Sequence, residues 1–262
     1  SGQPASGGDG ADVIVGSLFG DELHGLGGTD SIDGGDGDDT IYGEGGSYNS
    51  LKGGAGADAI YASGFEDFGS GGAGADTIIV LGASVCAYGD DGDDTLRAGA
   101  ASALLFGGAG NDFVFGGVSK DQLYGDDGDD VIFGGAGADA IGGGEGRDTI
   151  DGDEGDDVID GGGGADHIMG DAGADRIVGG AGDDVIFGWL DTQGGDGGAG
   201  LDGSDTINGG DGADTIFGAF GNDALSGDAG DDWLQGGLGH DTMRGGAGAD
   251  TLLGEAGNDK LY

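Results

Sequence analysis

A nine-residue unit repeats along almost the whole chain, and no other feature limits its fold as tightly. The unit is plainest at Gly34 to Tyr42, which reads GGDGDDTIY. The same pattern, G-G-x-G-x-D-x-U-x with U a large aliphatic residue, returns at Gly53 to Tyr61, Gly107 to Phe115, Gly134 to Gly142, Gly143 to Asp151 and Gly179 to Phe187. About 27 copies lie between Gly7 and Tyr262. A period of this length and regularity signals stacked repeats, each needing its neighbours to bury a core. The phase slips only twice, at one extra residue within Gly43 to Lys52 and at a 12-residue insertion, Gly188 to Ala199. Ser1 to Ser6 reads as a linker, and 7–262 as one repeat domain.

Within each unit the aliphatic slot holds Ile, Leu, Val or Met, from Ile14, Leu23, Ile32 and Ile41 to Leu252 and Leu261; Gly69 and Ala87 are the exceptions. One inward residue between two outward ones is a minimal strand. The six residues before it are rich in Gly and Asp, which is turn chemistry. A turn every nine residues brings the chain round once in eighteen. The expected fold is therefore all-β: a solenoid of two parallel sheets, about 18 residues per coil and about 13 coils. The 74 glycines exclude an ordinary helical protein, because glycine weakens a helix interior. A single proline and a period of nine exclude collagen.

The formal net charge is −45, from 52 acidic and 7 basic residues. That balance argues against nucleic acid, whose phosphates need clustered Lys and Arg, and against anionic membranes. No apolar run is long enough to span a bilayer as a helix, so no membrane insertion is expected. The amino terminus has neither the basic start nor the apolar run of a signal peptide. One cysteine, Cys86, rules out an internal disulfide framework. Two aliphatic side chains per eighteen residues make a thin core. Backbone entropy and self-repulsion both oppose it, so the chain alone should stay unfolded.

The sixth position of the unit supplies what the core lacks. Stacking places the Asp of one coil beside the Asp of the next. The even units give an unbroken column: Asp21, Asp39, Asp58, Asp76, Asp94, Asp112, Asp130, Asp148, Asp166, Asp184, Asp214, Asp232 and Asp250. The odd units give Asp12 and Asp30, then falter. Asn49 sits near the slot, Asp67 stands in a degenerate turn, and Val85 and Ala103 replace the acid. The odd column resumes at Asp121, Asp139, Asp157, Asp175, Asp205, Asp223, Asp241 and Asp259. Facing carboxylates repel unless a hard cation lies between them. An all-oxygen site of adaptable geometry suits Ca²⁺ better than Zn²⁺, which favours N and S ligands, or Mg²⁺, which keeps its water. Roughly 20 gaps between carboxylates imply roughly 20 Ca²⁺, which would bring −45 to about −5. The flank at about 43–121 is expected to be calcium-poor on one side.

The repeated motif resembles the RTX family, the haemolysin-type calcium-binding repeats of secreted bacterial proteins. The resemblance implies a right-handed parallel β-roll with Ca²⁺ between successive turns, bound by the Asp columns. It also implies type I secretion of an unfolded chain that folds on meeting external calcium, hence a secreted, extracellular or bacterial cell-surface location. No non-repeat tail follows Tyr262, where the family's secretion signal would lie, so the chain reads as a piece of a longer one.

The expected role is non-enzymatic. His24, His167 and His240 are far apart and read as exposed residues without a role; no H-E-x-x-H and no G-x-S-x-G occurs. Cys86 reads as an unpaired outward thiol, and the insertion as a tolerated surface excursion. Outward apolar residues, Cys86, Tyr88, Leu104, Phe106 and Tyr124 on one sheet and Tyr42, Tyr61, Ile79, Phe115 and Phe133 on the other, suit self-association. The first functional expectation is a structural, surface-layer or adhesive role through self-assembly. The alternative is an accessory module of an exoenzyme or toxin, such as a protease, lipase or alginate epimerase, whose surface binds polysaccharide.

Overall fold

The computed structural model describes residues 4–189 and 203–262. Short strands build it, and no helix occurs among the described residues. Among the described residues, successive strands alternate between two sheets, each of 14 strands. Neighbouring strands pair in parallel, as in Leu96 with Val114 and Ile150 with Ile168. The expected all-β solenoid of two parallel sheets and about 18 residues per coil is the fold observed. Ala5 and Ser6, which precede the first unit, pair with Leu23 and His24.

Many strands are longer than the three residues expected around the aliphatic slot. Ser31–Asp36 and Ser50–Ala55 each run on into the next unit, where Gly35 pairs with Gly54 and Asp36 with Ala55. The opening glycines of a turn are therefore ladder residues as well, because their bare backbones stack in register. The turn proper is confined to the fourth and fifth positions.

The chain divides into two compact units, Ser1–Gly128 and Asp129–Tyr262. In the first, Leu23, Ile41, Ile60, Ile78 and Leu96 of one sheet face Ile32, Leu51, Leu105 and Leu123 of the other, all at most 1% exposed. The core thins where Gly69 pairs with Leu51 and Ala87. In the second, Ile132, Ile150, Ile168, Ile186 and Leu234 face Ile159, Ile177, Ile207 and Met243, again nearly fully buried. Strict alternation of buried and outward positions along each strand keeps the aliphatic slot inside.

In the turn Gly34 to Asp39, two of the glycines are required by stacking. Gly35 and Gly37 have φ of 102° and 115°, a region that L side chains avoid. A Cβ on Gly35 would lie 2.6 Å from the Ser17 carbonyl oxygen, and one on Gly37 2.6 Å from the Phe19 carbonyl carbon. Where the second glycine is replaced, the left-handed conformation is retained: φ is 76° at Asp90, 75° at Asp126 and 65° at Asp153. Asp tolerates that region better than most residues.

Candidate metal centre

The sixth residue of each unit turns inward at the point where the turn re-enters the strand. Of the expected ligand set, Asp12, Asp250 and Asp259 are half-buried, and the other twenty are buried. Each column is a hydrogen-bonded ladder. The backbone N–H of one Asp donates to Oδ1 of the Asp in the next coil: Asp21 to Asp39 at 2.6 Å, Asp58 to Asp76 at 2.7 Å, Asp76 to Asp94 at 2.6 Å and Asp94 to Asp112 at 2.7 Å. In the second unit the even column continues from Asp130 to Asp148, Asp166, Asp184, Asp214, Asp232 and Asp250, at 2.9–3.2 Å. Its odd column runs from Asp139 to Asp157, Asp175, Asp205, Asp223, Asp241 and Asp259, at 2.7–3.1 Å. The carbonyl of each Asp accepts the N–H of the seventh residue one coil on, as Asp76 does from Thr95 at 2.8 Å. The column is thus fixed by both its side chains and its backbone.

Two residues left out of the expected ligand set belong to the odd column. The Asp30 amide donates to Asn49 Oδ1 at 2.8 Å, and the Asn49 amide to Asp67 Oδ1 at 2.9 Å. Both residues are buried. The slot was hard to see because the extra residue in Gly43 to Lys52 shifts the phase and the turn before Asp67, ASGFED, lacks the motif. Leu51, two residues after Asn49, was the available signal; Gly69, at the same offset from Asp67, gave none. The break in the ladder is therefore shorter than expected. It is confined to Val85 and Ala103, after which the Ala103 amide donates to Asp121 Oδ1 at 2.7 Å.

Oδ1 is engaged by an amide. Oδ2 accepts a local amide at Asp12, Asp21 and Asp67, from Gly8, Ser17 and Gly64 at 2.6–2.7 Å, but not throughout the columns. In Asp39, Asp58, Asp76, Asp94, Asp148, Asp157, Asp166, Asp175, Asp184, Asp214 and Asp223, Oδ2 is buried with no hydrogen-bond partner. A buried carboxylate oxygen in that state is costly. These atoms share their surroundings with carbonyl oxygens at the first glycine of the turn. A Cβ on Gly152 would lie 2.7 Å from Asp157 Oδ2 and 2.7 Å from the Gly170 carbonyl oxygen. On Gly218 it would lie 2.6 Å from Asp223 Oδ2 and 2.7 Å from the Gly236 carbonyl oxygen. A glycine thus keeps open a pocket toward which a carboxylate and a carbonyl from adjacent coils converge. Oxygen donors of this kind, anionic and neutral together, fit Ca²⁺.

Burial has an electrostatic signature. Loss of solvent pushes the carboxyls of Asp94, Asp157 and Asp223 up to about 7, and that of Asp175 to about 8. The amide each accepts works in the opposite direction, and the carboxylates above or below it in the column add to the rise. Positive charge is what would restore the ionised form.

One acidic cluster lies outside the columns and was not singled out from the sequence. Asp151, Asp153 and Asp171 can bring one carboxylate oxygen each within 4.8 Å of one another. Burial first, then the Asp153 and Asp171 charges, push Asp151 up to about 6. The ninth position of one unit and the second position of the turn three units on, 20 residues later, meet elsewhere as donor and acceptor. His24 with Glu44, Asn208 with Asp228 and Gln235 with Glu255 are examples. An Asp in the second, normally glycine, position was the available signal. Trp189 lies beside Asp153, Glu154, Asp171 and Ala172 around a cavity of about 410 Å³. The rest of the expected insertion, 190–199, falls outside the described residues.

The outward aromatic residues form stacks. Tyr88, Phe106 and Tyr124 follow one another at 4.7 and 5.0 Å with rings within 13° of parallel, and Tyr42 stacks on Tyr61 at 4.8 Å. Sequence reading missed that His24 extends this second stack, 4.7 Å from Tyr42, and bonds Glu44 at 3.0 Å. It also missed Phe187 on Phe217, at 4.7 Å.

The family model for the RTX calcium-binding nonapeptide repeat matches overlapping stretches that together run 6–80 and 88–261. The unmatched residues 81–87 include the Val85 break. No curated protein matches the chain. Among solved structures, the chain is similar to a hyperactive, Ca²⁺-dependent, β-helical antifreeze protein from an Antarctic bacterium. The two share 18% identity over 97% of this chain and 83% of the other, with a TM-score of 0.49.

Proposed function

Because the chain belongs to the family of RTX calcium-binding nonapeptide repeats, we propose that it is a calcium-gated structural module of a secreted bacterial protein. It stays unfolded where calcium is scarce and stiffens into the solenoid outside the cell. The observation that carries this reading is the set of buried Asp Oδ2 atoms without a hydrogen-bond partner. The even column from Asp21 to Asp250 and the odd column from Asp12 to Asp259 would hold the ions, with Asn49 and Asp67 joining the odd column. The gap at Val85 and Ala103 would not.

When bound, Ca²⁺ supplies positive charge among these oxygen donors. The chain does the rest. Oδ1 holds the amide of the preceding coil, Oδ2 faces the open glycine, and the glycines let carbonyls of adjacent coils approach. Extracellular calcium modules bind with Kd of about 10⁻⁴–10⁻³ M. Each site then adds about 2.7 kcal/mol to stability at a hundredfold excess of calcium over Kd, and almost nothing at cytosolic calcium.

The structural role we assign is self-association through the aromatic stacks. Rings piled on one another use their faces internally and offer edges outward. Such a surface suits a second copy of the chain better than a sugar ring, which stacks on an open aromatic face.

Calcium titration followed by circular dichroism and small-angle scattering tests the gating. A cooperative gain of strand signal and a fall in radius at millimolar Ca²⁺ are expected. Identical spectra and radius in excess chelator at pH 7.5 would refute it. Sedimentation in calcium tests the assembly: discrete oligomers or polymers support it, and a monomer at all concentrations refutes it.

A further inference from the structure

The fifth residue of the unit is variable and faces outward, so nothing in the motif marks it. Its side chain nevertheless makes one recurring bond. Asp38 accepts the Ala57 amide at 3.0 Å, Asp93 that of Asn111 at 2.9 Å, Asp129 that of Arg147 at 2.8 Å, Asp156 that of Ala174 at 3.0 Å and Asp183 that of Ala213 at 2.9 Å. Asp231 accepts the Ala249 amide at 2.8 Å. Other residues do the same: Ser204 Oγ accepts from Asn222 at 2.9 Å, Asn222 Oδ1 from His240 at 2.9 Å and His240 Nδ1 from Asn258 at 3.0 Å. In all nine cases donor and acceptor are both fifth residues, one coil apart.

This outer ladder runs against the inner one. Across one gap between coils, the Ala249 amide donates back to Asp231 while the Asp232 amide donates forward to Asp250 at 3.2 Å. Where both bonds form, residues five and six are therefore clamped reciprocally, immediately beside the carboxylate that faces the glycine pocket. The acceptor can be a carboxylate, an amide, a hydroxyl or an imidazole, so the bond needs an acceptor and not a charge.

We infer that the fifth residue is a positioning residue for the calcium turn. Its acceptor holds the turn's backbone in place, and coils that carry one bind calcium more tightly than coils that carry Ala or Arg there. This rests on the calcium reading of the columns, and it concerns a side chain that is not itself a ligand.

Asp231 offers the test, since Asn keeps the Oδ1 acceptor and removes the charge. Hydrogen exchange of the full chain is followed against calcium concentration at the Ala249, Asp250 and Thr251 amides. Asp231→Ala should raise the calcium concentration for half-protection by about two- to tenfold, the worth of one net hydrogen bond. It should speed Ala249 exchange at saturating calcium. Asp231→Asn should restore both to near the wild-type values. If Asn and Ala shift the midpoint equally, the effect is charge alone and the inference is overturned; the same holds if neither shifts it. Ala165→Asn guards against a folding defect. It adds an acceptor one coil before Asp183, and should lower the midpoint at Asp183 and Asp184; no change there also counts against the inference. Wild-type amides indifferent to calcium would overturn the calcium reading itself, and this inference with it.

Discussion

Gly69 and Gly71 lie two residues apart on the strand Phe68–Ala73, both buried on its inward face. The same substitution should have opposite effects at the two. At Gly69 an added Cβ would sit 3.5 Å from Ile78 Cγ2, 3.9 Å from Ala87 Cβ and 3.9 Å from Ile60 Cγ2. Those are ordinary van der Waals contacts in a stretch where the core is thin. Gly69→Ala therefore gains about 0.4–1 kcal/mol from the restricted unfolded chain and about 0.8 kcal/mol from the buried methyl, or about 1–2 kcal/mol together. At Gly71 the Cβ would lie 2.6 Å from the Gly89 carbonyl oxygen and closer still to Asp76 Oδ2. Gly71→Ala should cost about 1–3 kcal/mol as an overpacked site. It should also raise the calcium requirement of that coil, because the methyl occupies the space the carboxylate faces. Thermal unfolding of the calcium-loaded variants, with hydrogen exchange at Thr77 and Thr95 as the local readout, measures both. A midpoint rise of about 2–6 °C is expected for Gly69→Ala and a fall for Gly71→Ala. Similar behaviour of the two variants would refute the claim that the first glycine of each turn is reserved for a metal pocket while Gly69 is merely an underfilled core position.

Acidity should act with opposite sign in the presence and absence of calcium. Burial raises the folded-state pKa of Asp94 to about 7 and of Asp175 to about 8, above the unfolded carboxylate value. For raised groups, stability is fully present below the unfolded pKa and is lost as pH rises through the folded one. The chelated chain should thus gain strand signal between pH 8 and pH 5, whereas the calcium-loaded chain should lose stability over the same range as protons displace the ion; a common sign in both titrations would contradict this. Asn49→Ala should cost about 1–3 kcal/mol in the first unit, because the Asp30 amide loses a buried acceptor, and denaturant unfolding would report it. Phe106→Ala removes two stacked contacts, to Tyr88 and Tyr124, and should cost about 1–3 kcal/mol. A loss below about 0.5 kcal/mol would show that the stack adds nothing to burial.

The fold was legible in the sequence because three independent constraints recur in phase: a period-two strand core, a glycine turn and an acid at one fixed offset. The aliphatic slots at Ile32, Ile41 and Leu51 are enough to locate the strands of both sheets. The columns were legible for the same reason, up to the point where Asn49 and Asp67 sit in turns without the motif. There the chain keeps its register through the backbone ladder, which leaves no trace in residue identity. Extended strands such as Ser50–Ala55 were hidden because glycine reads as a turn residue, although stacked glycines pair well. His24 was misread because its partners, Glu44 and Tyr42, are assembled only by coiling. The outer ladder of fifth residues was invisible to motif reading for a further reason. Asp, Asn, Ser and His share an acceptor there but no common letter.

The buried carboxylate ladder has a sense of direction. Each amide looks for an oxygen that lies further along the polypeptide. Any run of such coils therefore has two unlike faces, whatever its length: the carboxyl-terminal face strands an inner amide and the amino-terminal face strands a carboxylate oxygen. A stranded buried N–H is the harder of the two to tolerate, so the carboxyl-terminal face is the one that most needs a cap.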